Sequence, residues 1–104
     1  MQTKEVVVKT FDGKEITVVV GEISWLDAQK LIGESTEFVD GRSRVNIDKL
    51  RINLVKYAIK DVKGIDLGKK VDKSVILEQI PVKEGNKVLK VALELNPLEQ
   101  ILEV

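Results

Sequence analysis

The stretch from Asn46 to Lys63 constrains this chain most, because it reads as one helix with two chemically distinct faces. At about 100° per residue, Ile47, Leu50, Leu54, Val55, Tyr57, Ala58, Ile59 and Val62 cover a broad apolar arc. Lys49, Asn53, Lys56, Lys60 and Lys63 share the narrow opposite stripe. The pattern predicts a central helix capped by Asn46, stopped at Gly64, and enclosed on nearly every side except its lysine ridge. Arg51 and Asp61 interrupt the arc. Ten residues apart on a helix they stand about 15 Å from each other, so each is expected to need its own partner.

Before that helix, two β-branched runs, Val6-Val7-Val8 and Ile16 to Val20, flank Asp12-Gly13. The pair suits a two-residue turn with positive φ, and so predicts a hairpin over 4–20. In that register Phe11 opposes Lys14, Lys9 opposes Ile16 and Val7 opposes Val18. Phe11, Val7, Ile16, Val18 and Val20 then share one face, and Val6, Val8, Thr10, Thr17 and Val19 the other. A lone hairpin is marginal in water, so helices, a further strand or a second subunit must complete it.

Ser24 is expected to cap a helix that ends at Gly33, with Trp25 as a plug between sheet and helices. The segment 34–45 alternates poorly, and despite its Asp40-Gly41 pair it is expected to be a mobile loop. Asp72 is placed to cap a short helix over 73–79, and Pro81 to end it and open the next. Val88, Leu89, Ala92, Leu93 and Leu95 give that next helix an apolar side, spoiled slightly by Gly85. Asn96-Pro97-Leu98-Glu99 has the order of a cap, a first helical proline and an acidic third residue. The whole predicts a single α+β domain over 1–104, an N-terminal β-hairpin packed against four to five helices.

Composition narrows the chemistry. The chain has no cysteine and no histidine, which removes disulfides, thiolate chemistry, the commonest metal ligand and the usual general base near neutral pH. Seventeen basic residues balance seventeen acidic ones. No global charge steers the chain toward nucleic acid or membrane, although 49–73 is locally basic, with Lys69 and Lys70 contributing. No apolar run reaches the length of a membrane span, and no targeting segment is evident at the start. The expectation is a soluble, cytoplasmic, non-enzymatic protein with no cofactor and no metal. The Lys, Glu, Val and Ile content hints at a thermophilic source.

Two surfaces stand out as candidate sites. Arg42 and Arg44 lie two apart beside Phe38, an arrangement suited to clamping a protein partner, and Leu98, Ile101 and Leu102 form an apolar terminus that either docks on the core or meets a partner. The alternative is a phosphate-contacting ridge of Lys49, Lys56, Lys60 and Lys63. No aromatic residue interleaves those lysines, so nucleic acid ranks below a protein partner or self-association. The loop Gly64 to Lys70 lacks the spacing and the hydroxyl of a phosphate-binding loop.

The Val-rich hairpin, Ser24-Trp25-Leu26, Asp48-Lys49-Leu50-Arg51 opening a helix that ends at Val62-Lys63-Gly64, Leu77 to Pro81, and Ala92 to Pro97 together resemble the order and apolar rhythm of phage tail assembly chaperones. The resemblance covers about three quarters of the chain. It implies a viral or proviral assembly role in which an α+β domain binds a tail tube subunit or a tape-measure segment, and it supplies no catalytic residue.

Overall fold

The computed structural model describes residues 1–68 and 71–103, so Lys69, Lys70 and Val104 lie outside the described residues. The N-terminal hairpin forms from β1 (Thr3–Lys9) and β2 (Glu15–Gly21). Its register is one residue away from the expected one. Val8 opposes Ile16, and Val6 opposes Val18. The cause is the loop: Gly13 N–H donates to Thr10 O, Thr10 N–H donates to Lys14 O, and Gly13 takes φ 80°. Phe11-Asp12-Gly13 is thus a three-residue connection with a left-handed glycine, not a two-residue turn at Asp12-Gly13. Because side chains alternate strictly, this slip exchanges the two faces of β1 while those of β2 stay as expected. Val6, Val8, Ile16, Val18 and Val20 are buried, whereas Val7 and Phe11 are 53% and 71% exposed.

The predicted helix 46–63 is two elements. Helix α2 spans Ile47–Ala58 and passes directly into strand β5, Ile59–Lys63, which pairs antiparallel with β2 to give a sheet of order β1-β2-β5. Pairing jumps from Val19 opposite Asp61 to Val20 opposite Ile59, so Lys60 is the extra residue of a bulge. The bulge brings Ile59 and Val62, three apart, onto the same buried side. That spacing imitates a helical repeat, and it is why the strand passes for a helix in sequence. Gly21 accommodates the bulge, since a Cβ there would meet Lys60 Cγ at 2.9 Å.

Between the hairpin and α2 runs α1 (Trp25–Glu34), whose cap Ser24 accepts from Asp27 N–H as expected. It extends one residue past Gly33, and Ser35 N–H closes it on the carbonyls of Leu31 and Ile32. The segment expected to be a mobile loop is a second hairpin, β3 (Thr36–Val39) and β4 (Arg42–Val45). Here the Asp-Gly pair does make the two-residue turn, with φ 52° at Asp40 and 75° at Gly41. Downstream, Asp72 caps a 3-10 helix, Lys73–Glu78, by accepting from Ser74 N–H. Pro81 opens α3 (Val82–Leu95), and Pro97 opens α4 (Leu98–Leu102).

The fold is α+β, with the N-terminal hairpin and helices as expected and with the further strand that the hairpin required. Helix α3 packs on β1 and β2, and α2 packs on α1 and α3. One part of the core joins the sheet to α3 and the 3-10 helix through Val8, Ile16, Val18, Ile76 and Val88. The other joins α1, α2 and α4 through Ala28, Leu31, Leu50, Leu54 and Ile101. Each large side chain so buried contributes about 1.5–3 kcal/mol. Trp25 does not plug this core. It occupies the first position of α1, where a side chain leans back off the helix end, and it is 74% exposed.

Candidate functional site

The hairpin β3–β4 is the least supported part of the molecule. Neither strand packs broadly on any other element, and the radius of gyration, 14.4 Å, exceeds the roughly 13 Å of a fully compacted chain of this length. Its base is fixed and its tip is free. At the base Thr36 Oγ1 donates to Ile32 O, Asn46 N–H donates to Ser35 O, and Val45 packs on the core of α1, α2 and α4. Beyond the base, Phe38 is 81% exposed, and Val39, Arg42, Ser43 and Arg44 are exposed as well.

Cross-strand pairing sorts these side chains. Phe38 opposes Ser43, and they share a face with Thr36 and Val45; Val39 opposes Arg42 and Glu37 opposes Arg44 on the other. The ribbon therefore presents an aromatic ring on one side and two guanidinium groups on the other. Its outer edges also carry backbone groups with no strand partner. We call residues 36–45 the arm.

Asn46 ties the arm to α2. Its Oδ1 accepts from Lys49 N–H as the helix cap, while its Nδ2 donates to Glu37 Oε1. Lys49 Nζ lies 3.4 Å from the same carboxylate. The hydrogen bond from Asn46, then that from Lys49, holds the Glu37 carboxyl below the usual range. Replacing Asn46 with alanine is expected to cost about 1 kcal/mol, the value of a lost cap. The loss is read from the denaturant midpoint, and faster exchange of the Lys49 amide would locate it.

The lysine ridge is dispersed. Lys49 and Lys56 stand on α2, whereas Lys60 and Lys63 belong to β5. Lys60 Nζ donates to Tyr57 O, and Lys63 Nζ lies 2.8 Å from Glu5 Oε1 across the outer face of the sheet. The four lysines therefore share no single helix face. Arg51 and Asp61 likewise share no helix face: Arg51 is exposed on α2, and Asp61 Oδ1 accepts from Val62 N–H within β5.

The C-terminal candidates separate from the arm. Ile101 is buried, and Leu98 and Leu102 pack beside it on α1 and α2. Of its two expected roles, the apolar terminus takes the internal one, because α4 turns it back onto the core.

One surface escaped the sequence argument. Between α2, the 3-10 helix and α3 lies a cleft of about 400 Å³, floored by Val55, Leu77 and Leu89 and walled by Ile52, with Asp48 and Arg51 on its rim. Ile52 is 57% exposed. Gly85 opens the far side, since a Cβ there would meet nothing within 4 Å. An isoleucine on the polar side of α2 and a glycine inside α3 were the available signals.

A smaller polar hollow joins Glu34, Asn53, Lys56, Tyr57 and Asp72. Tyr57 Oη donates to Glu34 Oε1 at 2.6 Å, and that bond, aided by burial and by the charges of Glu34 and Asp27, pushes the phenol up to about 12. A raised folded value means that the contribution to stability is complete below the ordinary phenol range and fades as pH rises through about 12. The chain has one tyrosine, so ultraviolet titration is expected to show a single phenolate step near that pH. Glu34→Gln is expected to return the step toward the ordinary value.

Among the described residues, no group of three acidic side chains is placed to hold a metal ion, and no helix is long and apolar enough to cross a membrane. No family model, curated protein or solved structure matches the chain.

Proposed function

We propose that this chain is a non-enzymatic protein-binding module of assembly type, and that the arm is its contact element. The observation that carries the reading is Phe38, a large aromatic side chain 81% exposed on a ribbon neither of whose strands packs broadly on another element. Aromatic and arginine side chains are the commonest anchors of protein interfaces, and the arm presents both. A role like that of phage tail assembly chaperones accords with the Val-rich hairpin and with Asp48 to Arg51 opening a helix. The end of that helix at Ala58 does not match the resemblance, so the proposal rests on the arm. Nucleic acid is disfavoured as a partner by the dispersal of the lysines.

The test places a photoreactive benzophenone side chain at position 38 and, as a control, at position 82, where valine is also 81% exposed. In extract of the source cells, irradiation is expected to give a discrete protein adduct from position 38 and none from position 82. Equal labelling at both positions, or none at either, would overturn the reading.

A further inference from the structure

We infer that the hollow beside Trp25 is a binding site for a trimethylammonium head group. It lies where the chain leaving β2, the start of α1 and the junction of α3 with α4 meet, and it measures about 270 Å³. Pockets for whole drug-sized ligands run to roughly 300–1,000 Å³, so this one suits a head group rather than a larger molecule. Ile23, Ala28, Leu95 and Ile101, all buried or half-buried, give it an apolar base, and Glu22, Trp25 and Gln100 stand around them. No residue of the arm lines it.

The lining selects a methylated cation. Glu22 is its one charged side chain, and it belongs to no ion pair among the described residues. Asn96 has no amide donor to spare, because Nδ2 is committed to Gly21 O and Ala92 O, while its Oδ1 already accepts from Ile23 N–H. The positive end of α1 is offset by Asp27 in its own first turn. An anion would therefore meet a carboxylate and no cation. Trp25 occupies the first position of α1, which keeps it out of the core and brings its indole to the hollow, still 74% exposed. Indole is the aromatic group to which cations are most strongly drawn. A bare ammonium carries three N–H donors that need acceptors once water leaves, and an apolar base cannot supply them. Methyl groups remove that need and pack on Ile23, Leu95 and Ile101.

Choline tests this, with the chain's single tryptophan as reporter. Choline is expected to change Trp25 emission saturably, with half-saturation at millimolar concentration or below. Dimethylbutanol, its neutral carbon isostere, is expected to leave the emission unchanged. Glu22→Gln and Trp25→Leu, each with unchanged circular dichroism, are expected to weaken choline binding about tenfold, read for both from saturation transfer to the choline methyl protons. Nε-trimethyllysine amide and unmodified lysine amide form a second arm of the experiment. Trimethyllysine bound more tightly than choline assigns the source to a modified lysine side chain, and equal or weaker binding assigns it to a small-molecule amine. Lysine bound as tightly as trimethyllysine, an isostere that matches choline, unchanged affinity in either variant, or no saturable response to millimolar choline would each overturn the inference. Labelling from position 38 is an independent result, since the arm takes no part in the hollow.

Discussion

Asn96→Ala is expected to lower stability by about 2–4 kcal/mol, out of the 5–15 kcal/mol typical of a whole domain. The side chain is 6% exposed and serves three backbone groups at once. Its Oδ1 accepts from Ile23 N–H at 2.9 Å, and its Nδ2 donates to Gly21 O at 3.2 Å and to Ala92 O at 3.0 Å. Asn96 thereby pins the chain leaving β2 to the last turn of α3, far from it in sequence. Alanine leaves the Ile23 amide and the Gly21 carbonyl without partners where water reaches poorly, and the cost of the deletion lies in those orphans. Asn96→Asp should be as damaging, because it keeps the acceptor for Ile23 but turns a carboxylate oxygen toward two carbonyls. Asn86→Ala, on the exposed side of the same helix, should change stability by less than about 0.5 kcal/mol. Denaturant midpoints at constant slope provide the measurement, and equal effects at positions 86 and 96 would refute the pin.

Val8→Asp is expected to prevent folding, while Val7→Asp should cost about 1 kcal/mol. Val8 is 1% exposed in the apolar layer between sheet and α3, and a buried unpaired charge costs several kcal/mol. Val7 is 53% exposed on the outer face, opposite Thr17. Adjacent residues with such different penalties make a direct assay of hairpin register. Circular dichroism and thermal melting of both variants suffice. If Val7→Asp proved the more damaging, the two-residue turn at Asp12-Gly13 would be restored and the faces of β1 exchanged.

What the sequence disclosed follows from which interactions are local. Three caps were legible because a side chain meets an amide two or three residues away: Ser24, Asn46 and Asp72 all accept as expected, whereas Asn96, read as a fourth, ends α3 and turns its side chain to Ile23, Gly21 and Ala92 instead. So was the apolar side of α3, where Val88 and Ala92 are buried at helical spacing. The two Asp-Gly pairs show the limit. Both favour positive φ, but whether two or three residues close the loop depends on how the flanking strands pack, which no four-residue window contains. The boundary at Ala58 was hidden for the same reason. Ile59 to Lys63 becomes a strand because β2 offers an edge, and the bulge at Lys60 conceals the alternation that would have revealed it.

The candidate site divided along the same line. Phe38, Arg42 and Arg44 were recognisable from composition, and the structure brings them together on the arm. Leu98, Ile101 and Leu102 looked equally available until α4 folded them inward. The cleft left only Ile52 and Gly85 as signals, since its walls come from three elements and its opening depends on the absent side chain of Gly85.

The seam between Ala58 and Ile59 has no slack. Splicing in a single amino acid there would rotate the following segment by half a turn, sending Ile59 and Val62 to the wet side. Engineering at this point is therefore forbidden by parity. The tip at Asp40-Gly41 imposes no such arithmetic, and epitopes or fluorophores grafted there leave the body of the fold intact.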